Sequence, residues 1–195
     1  MGVHTSEFLA ALRAVAGALE ESGAPSAIIG GVSVVARGVA RFTADIDASI
    51  DGAQAGDLEA LLRLLGRHGI VPRIQDALGF VRQSQVLLLE HQQSGIEVDL
   101  SIAWIPWETD AFTRAEEVDF AGVRIRIPAP EDQLVYKLVA SRPKDLEDAT
   151  MLAQLHASRI DFSRVRRVLA EFCEALEDTS RLTELDRIEE SIKRR

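Results

Sequence analysis

The sequence predicts an α/β (α+β) protein, with a mixed sheet flanked by helices in front and a bundle of helices behind. Two observations carry this expectation. Up to residue 127, short runs alternate polar and apolar residues and end in turn-forming Gly, Ser or Pro. From Pro130 onward, apolar residues instead recur at helical spacing.

The elements follow in order. Phe8, Leu9, Leu12, Val15, Ala16 and Leu19 line a covering helix that Ser22-Gly23-Ala24-Pro25 ends. Ala27-Ile28-Ile29, the pair Gly30-Gly31 and the small-residue run from Val32 to Val39 read as strand, tight turn and helix. Asp45 to Ile50 alternates and reads as a strand with Asp45 and Asp47 on one face, and a helix follows from about Asp57 to Arg67. Phe80 to Arg82, Val86 to His91 and Ile96 to Ile102 read as further strands, the last two joined by a hairpin at Gln92-Gln93-Ser94-Gly95. Trp104 to Glu108, containing Pro106, marks a change of texture, and Glu117 to Ile127 alternates about Ala121-Gly122 as a small hairpin ending at Pro128.

Three helices are legible behind it. Leu134, Val135, Leu138 and Val139 line the first; Leu146, Ala149, Leu152 and Ala153 the second; Phe162, Val165, Val168, Leu169 and Phe172 the third. Pro130 suits a first turn because its missing N–H is not needed there, and Glu131 and Asp132 favour the positive helix end.

With 195 residues, 47% of them hydrophobic, the chain can bury a core without staples, and its single cysteine, Cys173, has no internal disulfide partner. No apolar run is long enough for a bilayer and no signal pattern is visible, so a cytoplasmic protein without a membrane partner is expected. A formal charge of −9 argues against broad adhesion to nucleic acid, which needs many Lys and Arg to neutralise phosphates. RIDFSRVRR, with four arginines from Arg159 to Arg167, and the terminal KRR leave two readings: a solvated helix face with a frayed end, or an RNA-binding flank. His4, His68, His91 and His156 show no metal-ligand spacing. Trp104 and Trp107 either stack on a base or anchor a strand to its loop.

The chemistry is concentrated in one constellation. Ile29-Gly30-Gly31 is followed, after thirteen residues, by Asp45-Ile46-Asp47-Ala48. Alternation on a strand points two carboxylates the same way, roughly 6–7 Å apart at their Cα atoms. Such a pair can bracket divalent cations that neutralise a triphosphate and activate the attacking and leaving oxygens. A glycine pair lets backbone N–H groups approach phosphate with no Cβ in the way, and Ser33 offers a hydroxyl to the same phosphate. In Gly95-Ile-Glu-Val-Asp-Leu, Asp99 and Glu97 share a face; Asp99, nearer the middle of the strand and flanked by apolar residues, is the choice for a third ligand that orients or deprotonates an incoming hydroxyl.

Glycine pair, spacer of about a dozen residues and Asp-x-Asp resemble the DNA polymerase β-like nucleotidyltransferase superfamily. The stretch from Arg37 to Thr43, with Arg41 and Thr43, resembles the R-x-T or R-x-S of small bacterial members, among them the AbiEii-type toxins. Pro130-Glu131-Asp132 with Lys137, then Ser141-Arg142-Pro143-Lys144-Asp145, is similar to their R-x-K-D block. The resemblance implies a minimal nucleotidyltransferase core at 1–128 with a C-terminal helical region at 129–195 packed on it. It implies Mg²⁺ or Mn²⁺ at Asp45, Asp47 and Asp99, an NTP contacted by Gly30, Gly31, Ser33, Arg41, Thr43, Lys137, Arg142 and Lys144, and Asp145 either in catalysis or fixing the cations. It further implies transfer of NMP to a hydroxyl of RNA, tRNA or protein, in a toxin–antitoxin or phage-defence role with an antitoxin partner. One departure is visible: many members carry serine directly after the first glycine, where this chain has Gly31. Arg142 and Lys144 also read as helix-terminal charges, and Lys137 as an amphipathic surface residue. Two alternatives stand beside the leading function, an antibiotic-modifying enzyme and an idle protein-binding module that keeps the fold.

Overall fold

The computed structural model describes residues 2–194, with side chains from Thr5 to Arg194; the His4 imidazole and Arg195 of the KRR tail lie outside the described residues. The chain runs α1 (Gly2–Ser22), β1 (Ser26–Ile28), α2 (Gly30–Ala36), β2 (Ile46–Asp51), α3 (Leu58–Arg67), β3 (Ile70–Pro72), α4 (Ala77–Ser84), β4 (Val86–His91) and β5 (Ile96–Ala103). It continues with α5 (Pro106–Thr113), β6 (Glu116–Phe120), β7 (Val123–Ile127), α6 (Pro130–Ala140), α7 (Pro143–His156), α8 (Phe162–Leu176) and α9 (Ser180–Lys193).

Five strands form a mixed sheet in the order β1-β2-β5-β4-β3, and β6 and β7 pair separately as a hairpin. Only β2 and β5 run parallel within it, with Asp47 opposite Asp99; the other neighbours are antiparallel. Side chains alternate across a strand, so β2 has two unlike faces. Ile46, Ala48 and Ile50 enter the main core with Leu87, Leu89, Val98 and Leu100 from the sheet, Leu12 and Val15 from α1 and Leu65 from α3. Each such fully buried Leu or Ile contributes about 1.5–3 kcal/mol. Asp47, Ser49 and Asp51 point the other way, where Ser49 meets Glu108 and Asp51 accepts a hydrogen bond from Thr109, both on α5.

A second core holds the rear. Leu134 and Leu138 of α6, Ala149 of α7, Leu169 of α8 and Leu185 of α9 surround Trp107, whose ring centre lies 4.7 Å from Tyr136 and 5.8 Å from Phe172. Trp107 donates to Asp132, so it is a packing anchor, whereas Trp104 stands 73% exposed. Val34 and Val39 pack on Leu152, His156 donates to the Arg37 carbonyl, and Gln133 donates to Ser33. These contacts fix α6 and α7 against the glycine turn at the head of α2.

The structure corrects one local expectation and adds three elements. Phe80 to Arg82 lies in α4, not in a strand: Asp76 accepts from the Gly79 N–H as an N-cap, and Ala77 and Val81, four apart, bury one face. The strand β3 was not anticipated; it is three residues long and carries Pro72 at the sheet edge, where the missing N–H is tolerated. The change of texture at Trp104 to Glu108 is the start of α5, with Pro106 in its first turn. A fourth rear helix, α9, follows the three that were legible.

Three of the four arginines from Arg159 to Arg167 are tied down. Arg159 pairs with Glu116, Arg164 with Asp110, and Arg166 with Asp186 and Glu189. Among the described residues no helix is long and apolar enough to cross a membrane.

Candidate active site

The polar face of β2, the glycine turn and the α6–α7 junction enclose a cleft of about 190 Å³. Gly30, Gly31, Arg41, Asp45, Asp47, Lys137, Arg142, Lys144 and Asp145 form its walls. Segments far apart in sequence thus meet at one place. Of the residues singled out from sequence, Ser33, Thr43 and Asp99 stand off these walls.

The acid wall is built by close approach. Gly30 has φ +60°, and a Cβ there would collide with the Asp47 carboxylate; a Cβ on Gly31 would collide with Thr43. Asp45 occupies the bend just ahead of β2 rather than the strand itself, and Thr43 Oγ1 donates to its Oδ1 at 2.9 Å. Burial pushes the Asp47 carboxyl up from the usual carboxylate range, and the charges of Asp45 and Asp99 push it further, against a smaller pull from the Gly31 N–H and Lys137. Asp99 is already engaged: its carboxylate accepts from Arg73 Nη1 at 2.7 Å. Sequence reading missed Arg73, which lies outside every motif.

Among the described residues no three His, Cys, Asp or Glu side chains stand close enough to hold a metal ion. The three acids therefore do not form a ready cage. The donor chemistry still fits Mg²⁺ or Mn²⁺ at Asp45 and Asp47, because Mg²⁺ is usually bound through one or two carboxylates together with substrate phosphates. The raised Asp47 carboxyl marks negative charge that the protein leaves under-compensated there.

The cationic side is the reverse. Ser141, at φ 54°, ends α6, and Arg142-Pro143 restarts the chain as α7, so Lys137 in the last turn of one helix faces Asp145 in the first turn of the next. Lys137 Nζ stands 2.9 Å from Asp145 and 3.0 Å from Asp148, all three side chains being buried. Arg41 also pairs with Asp148, and Arg142, 77% exposed, pairs with Asp145 at 2.6 Å. Burial alone would raise the Asp145 carboxyl, but Arg142 and Lys137 outweigh it and hold it below the usual range. Lys144 is exposed at the lip.

Ser33 lies behind the turn. It is fully buried, donates to the Gly30 carbonyl at 3.0 Å and accepts from Gln133 at 2.8 Å, so its hydroxyl braces the turn instead of facing the cleft. His68 pairs with Glu21, His91 with Ser94 and His156 with the Arg37 carbonyl, all away from the cleft. A shallower depression of about 430 Å³ shares Asp45 and Lys144 with the cleft and is bordered by Phe42 and Glu97.

Residues 9–195 match a family described as nucleotidyltransferase of unknown function (DUF6036). No curated protein sequence matches the chain. Its fold is similar to the solution structure of the antibiotic-resistance factor ANT(2'')-Ia, with a TM-score of 0.58 and 22% identity over 89% of this chain and 95% of that one. It is also similar to the crystal structure of ANT(2'')-Ia in complex with adenylyl-2''-tobramycin, with a TM-score of 0.56 and 21% identity over 88% of this chain and 99% of that one.

Proposed function

The chain belongs to this nucleotidyltransferase family, and from that premise we propose that it transfers a nucleoside monophosphate from an NTP to a hydroxyl in the cleft beneath Gly30 and Gly31. One observation carries the assignment: an under-compensated carboxylate, Asp47, beside Asp45, faces Lys137, Arg142 and Lys144 across a single cleft. A triphosphate bound to a divalent cation matches that division, its metal to the acids and its phosphates to the cations.

In this reading the acceptor oxygen bonds to the α-phosphorus, the bridge to the β-phosphate breaks, and pyrophosphate leaves. Mg²⁺ or Mn²⁺, when bound, supplies charge neutralisation at the phosphates. Asp45 and Asp47 would hold it, with Asp99 as a third ligand once nucleotide is bound, which also orients the acceptor hydroxyl or takes its proton. Gly30 and Gly31 leave room for phosphate oxygens, and Arg142 and Lys144 contact the outer phosphates. Lys137 adds charge from the floor, with Asp145 and Arg41 fixing the cations rather than touching substrate. Thr43 sets the rotamer of Asp45. Residues 1–128 act as the catalytic core, and residues 129–195 as a helical region that delivers the phosphate-binding groups. The cytoplasm, where NTPs are abundant, is the expected location.

For the acceptor, the block from Arg142 to Asp145, similar to that of AbiEii-type toxins, supports a hydroxyl of RNA, tRNA or protein in a toxin–antitoxin or phage-defence system, with an antitoxin protein as regulator. A second reading, a hydroxyl of a cationic aminoglycoside, is supported by the fold likeness to ANT(2'')-Ia over nearly its whole length and by a net charge of −9.

The test is incubation with each labelled NTP and Mg²⁺ in the presence of total RNA, protein lysate or aminoglycosides. Label in one acceptor class with stoichiometric pyrophosphate, lost in Asp47→Ala, is the expected result. No label and no pyrophosphate in any combination would overturn the assignment in favour of an idle protein-binding module.

A further inference from the structure

The third acid of the site has a partner that the proposed reaction does not use. Arg73, the first residue after β3, sends its guanidinium across β4: Nη1 donates to the Leu89 carbonyl at 2.9 Å and to Asp99 Oδ1 at 2.7 Å. A second nitrogen stands 3.6 Å from Glu97. The Arg73 side chain is only 21% exposed. A guanidinium tied both to a backbone carbonyl and to a carboxylate is held in one geometry, unlike a solvated surface arginine whose pairing contributes little.

This anchored charge bears directly on the metal site. Asp99 stands opposite Asp47 in the parallel register, and its negative charge is one cause of the raised Asp47 carboxyl. As placed, Asp99 faces Arg73, and the three acids do not converge as a cation cage.

We propose that Arg73 is a positioning residue, the built-in counter-ion of Asp99, which keeps the third carboxylate out of the metal set until a divalent cation enters together with nucleotide. The inference rests on the nucleotidyltransferase reading above. A free cation meets two carboxylates and must displace a guanidinium to gain the third. A cation carried by a triphosphate brings its own oxygen ligands, and the phosphates also engage Lys137, Arg142 and Lys144. Metal binding is in this way made conditional on nucleotide.

The test is Mn²⁺ binding followed by the electron paramagnetic resonance of free Mn²⁺, without nucleotide and with a non-hydrolysable ATP analogue. The wild type should bind Mn²⁺ weakly alone and, beyond what the analogue binds without protein, tightly with it; tight binding already without the analogue would overturn the inference without any variant. Arg73→Gln should tighten nucleotide-free Mn²⁺ binding by about tenfold, as removal of a nearby positive charge demands. Arg73→Lys should stay close to wild type, and adding Asp99→Asn to Arg73→Gln should remove the gain. Unchanged or weaker binding in a folded Arg73→Gln, or a gain that survives Asp99→Asn, would contradict the proposal. A wild type that binds Mn²⁺ weakly both alone and with the analogue would instead overturn the nucleotidyltransferase reading itself.

Discussion

The two walls of the cleft carry opposite charge and opposite degrees of satisfaction. On the cationic side, Lys137, Arg41 and Arg142 are each paired with Asp145 or Asp148, and Asp145 is held well ionised. On the acid side, Asp47 is partly buried beside two like charges, and its carboxyl is pushed up. The first region is complete as folded. The second leaves a carboxylate desolvated by burial beside two like charges, a cost that a cation would relieve, so the asymmetry separates the buried pairs that build the cleft from the carboxylates that await a cation.

The largest effect should come from breaking the satisfied side. Lys137→Met leaves Asp145 and Asp148 without their shared buried partner, and removing one member of a buried pair typically destabilises by about 3–5 kcal/mol. Urea unfolding checks this; a midpoint equal to wild type would show that Arg41 and Arg142 suffice. Gly30→Ala comes next, because a Cβ at positive φ meets the Asp47 carboxylate. A loss of roughly 1–3 kcal/mol is expected from the strained backbone alone, together with failure to bind nucleotide in a filter assay.

A smaller effect of opposite sign is expected at Asp47. Because its carboxyl sits above the usual range when folded, the folded protein binds that proton more readily than the unfolded chain, and stability is lost as pH rises from the ordinary carboxylate value through the folded one. Asp47→Asn should therefore melt higher than wild type at neutral pH, and the difference should shrink on acidification through the folded value and vanish below the ordinary carboxylate value. Calorimetric scans across that range measure it, and a variant less stable than wild type at neutral pH would blur the contrast between the walls. The smallest change in stability belongs to Arg142→Ala, an exposed pair worth about 1 kcal/mol at most. Its nucleotide affinity should nonetheless fall by about tenfold, as for loss of one charge-assisted phosphate contact.

Where the sequence pattern was periodic, the fold was legible. The alternation of Val86 to His91 and Ile96 to Ile102 appears as the β4–β5 hairpin, and the apolar spacing at Leu134, Val135 and Leu138 as α6. Short segments were not legible: Phe80 to Arg82 is too brief to separate a period of two from one of 3.6, and the capping by Asp76 that decides for α4 lies outside the apolar run. At the site, Gly30, Gly31, Asp45 and Asp47 were marked by local spacing, and they do line one cleft with Lys137, Arg142, Lys144 and Asp145. Ser33 was misplaced because its hydroxyl partner, Gln133, lies a hundred positions away. Arg73 was invisible for the same reason: only the pairing of β3, β4 and β5 brings it to Asp99.

The central claim is that Asp45 and Asp47 hold a cation together with a nucleoside triphosphate. Calorimetric titration of each NTP into wild type, Asp45→Ala and Asp47→Ala, with Mg²⁺ and with EDTA, tests it most directly. The account predicts Mg²⁺-dependent binding in the wild type that both variants lose while their circular dichroism remains native and they melt no lower than wild type. The same Mg²⁺-dependent affinity in wild type and variants would contradict it.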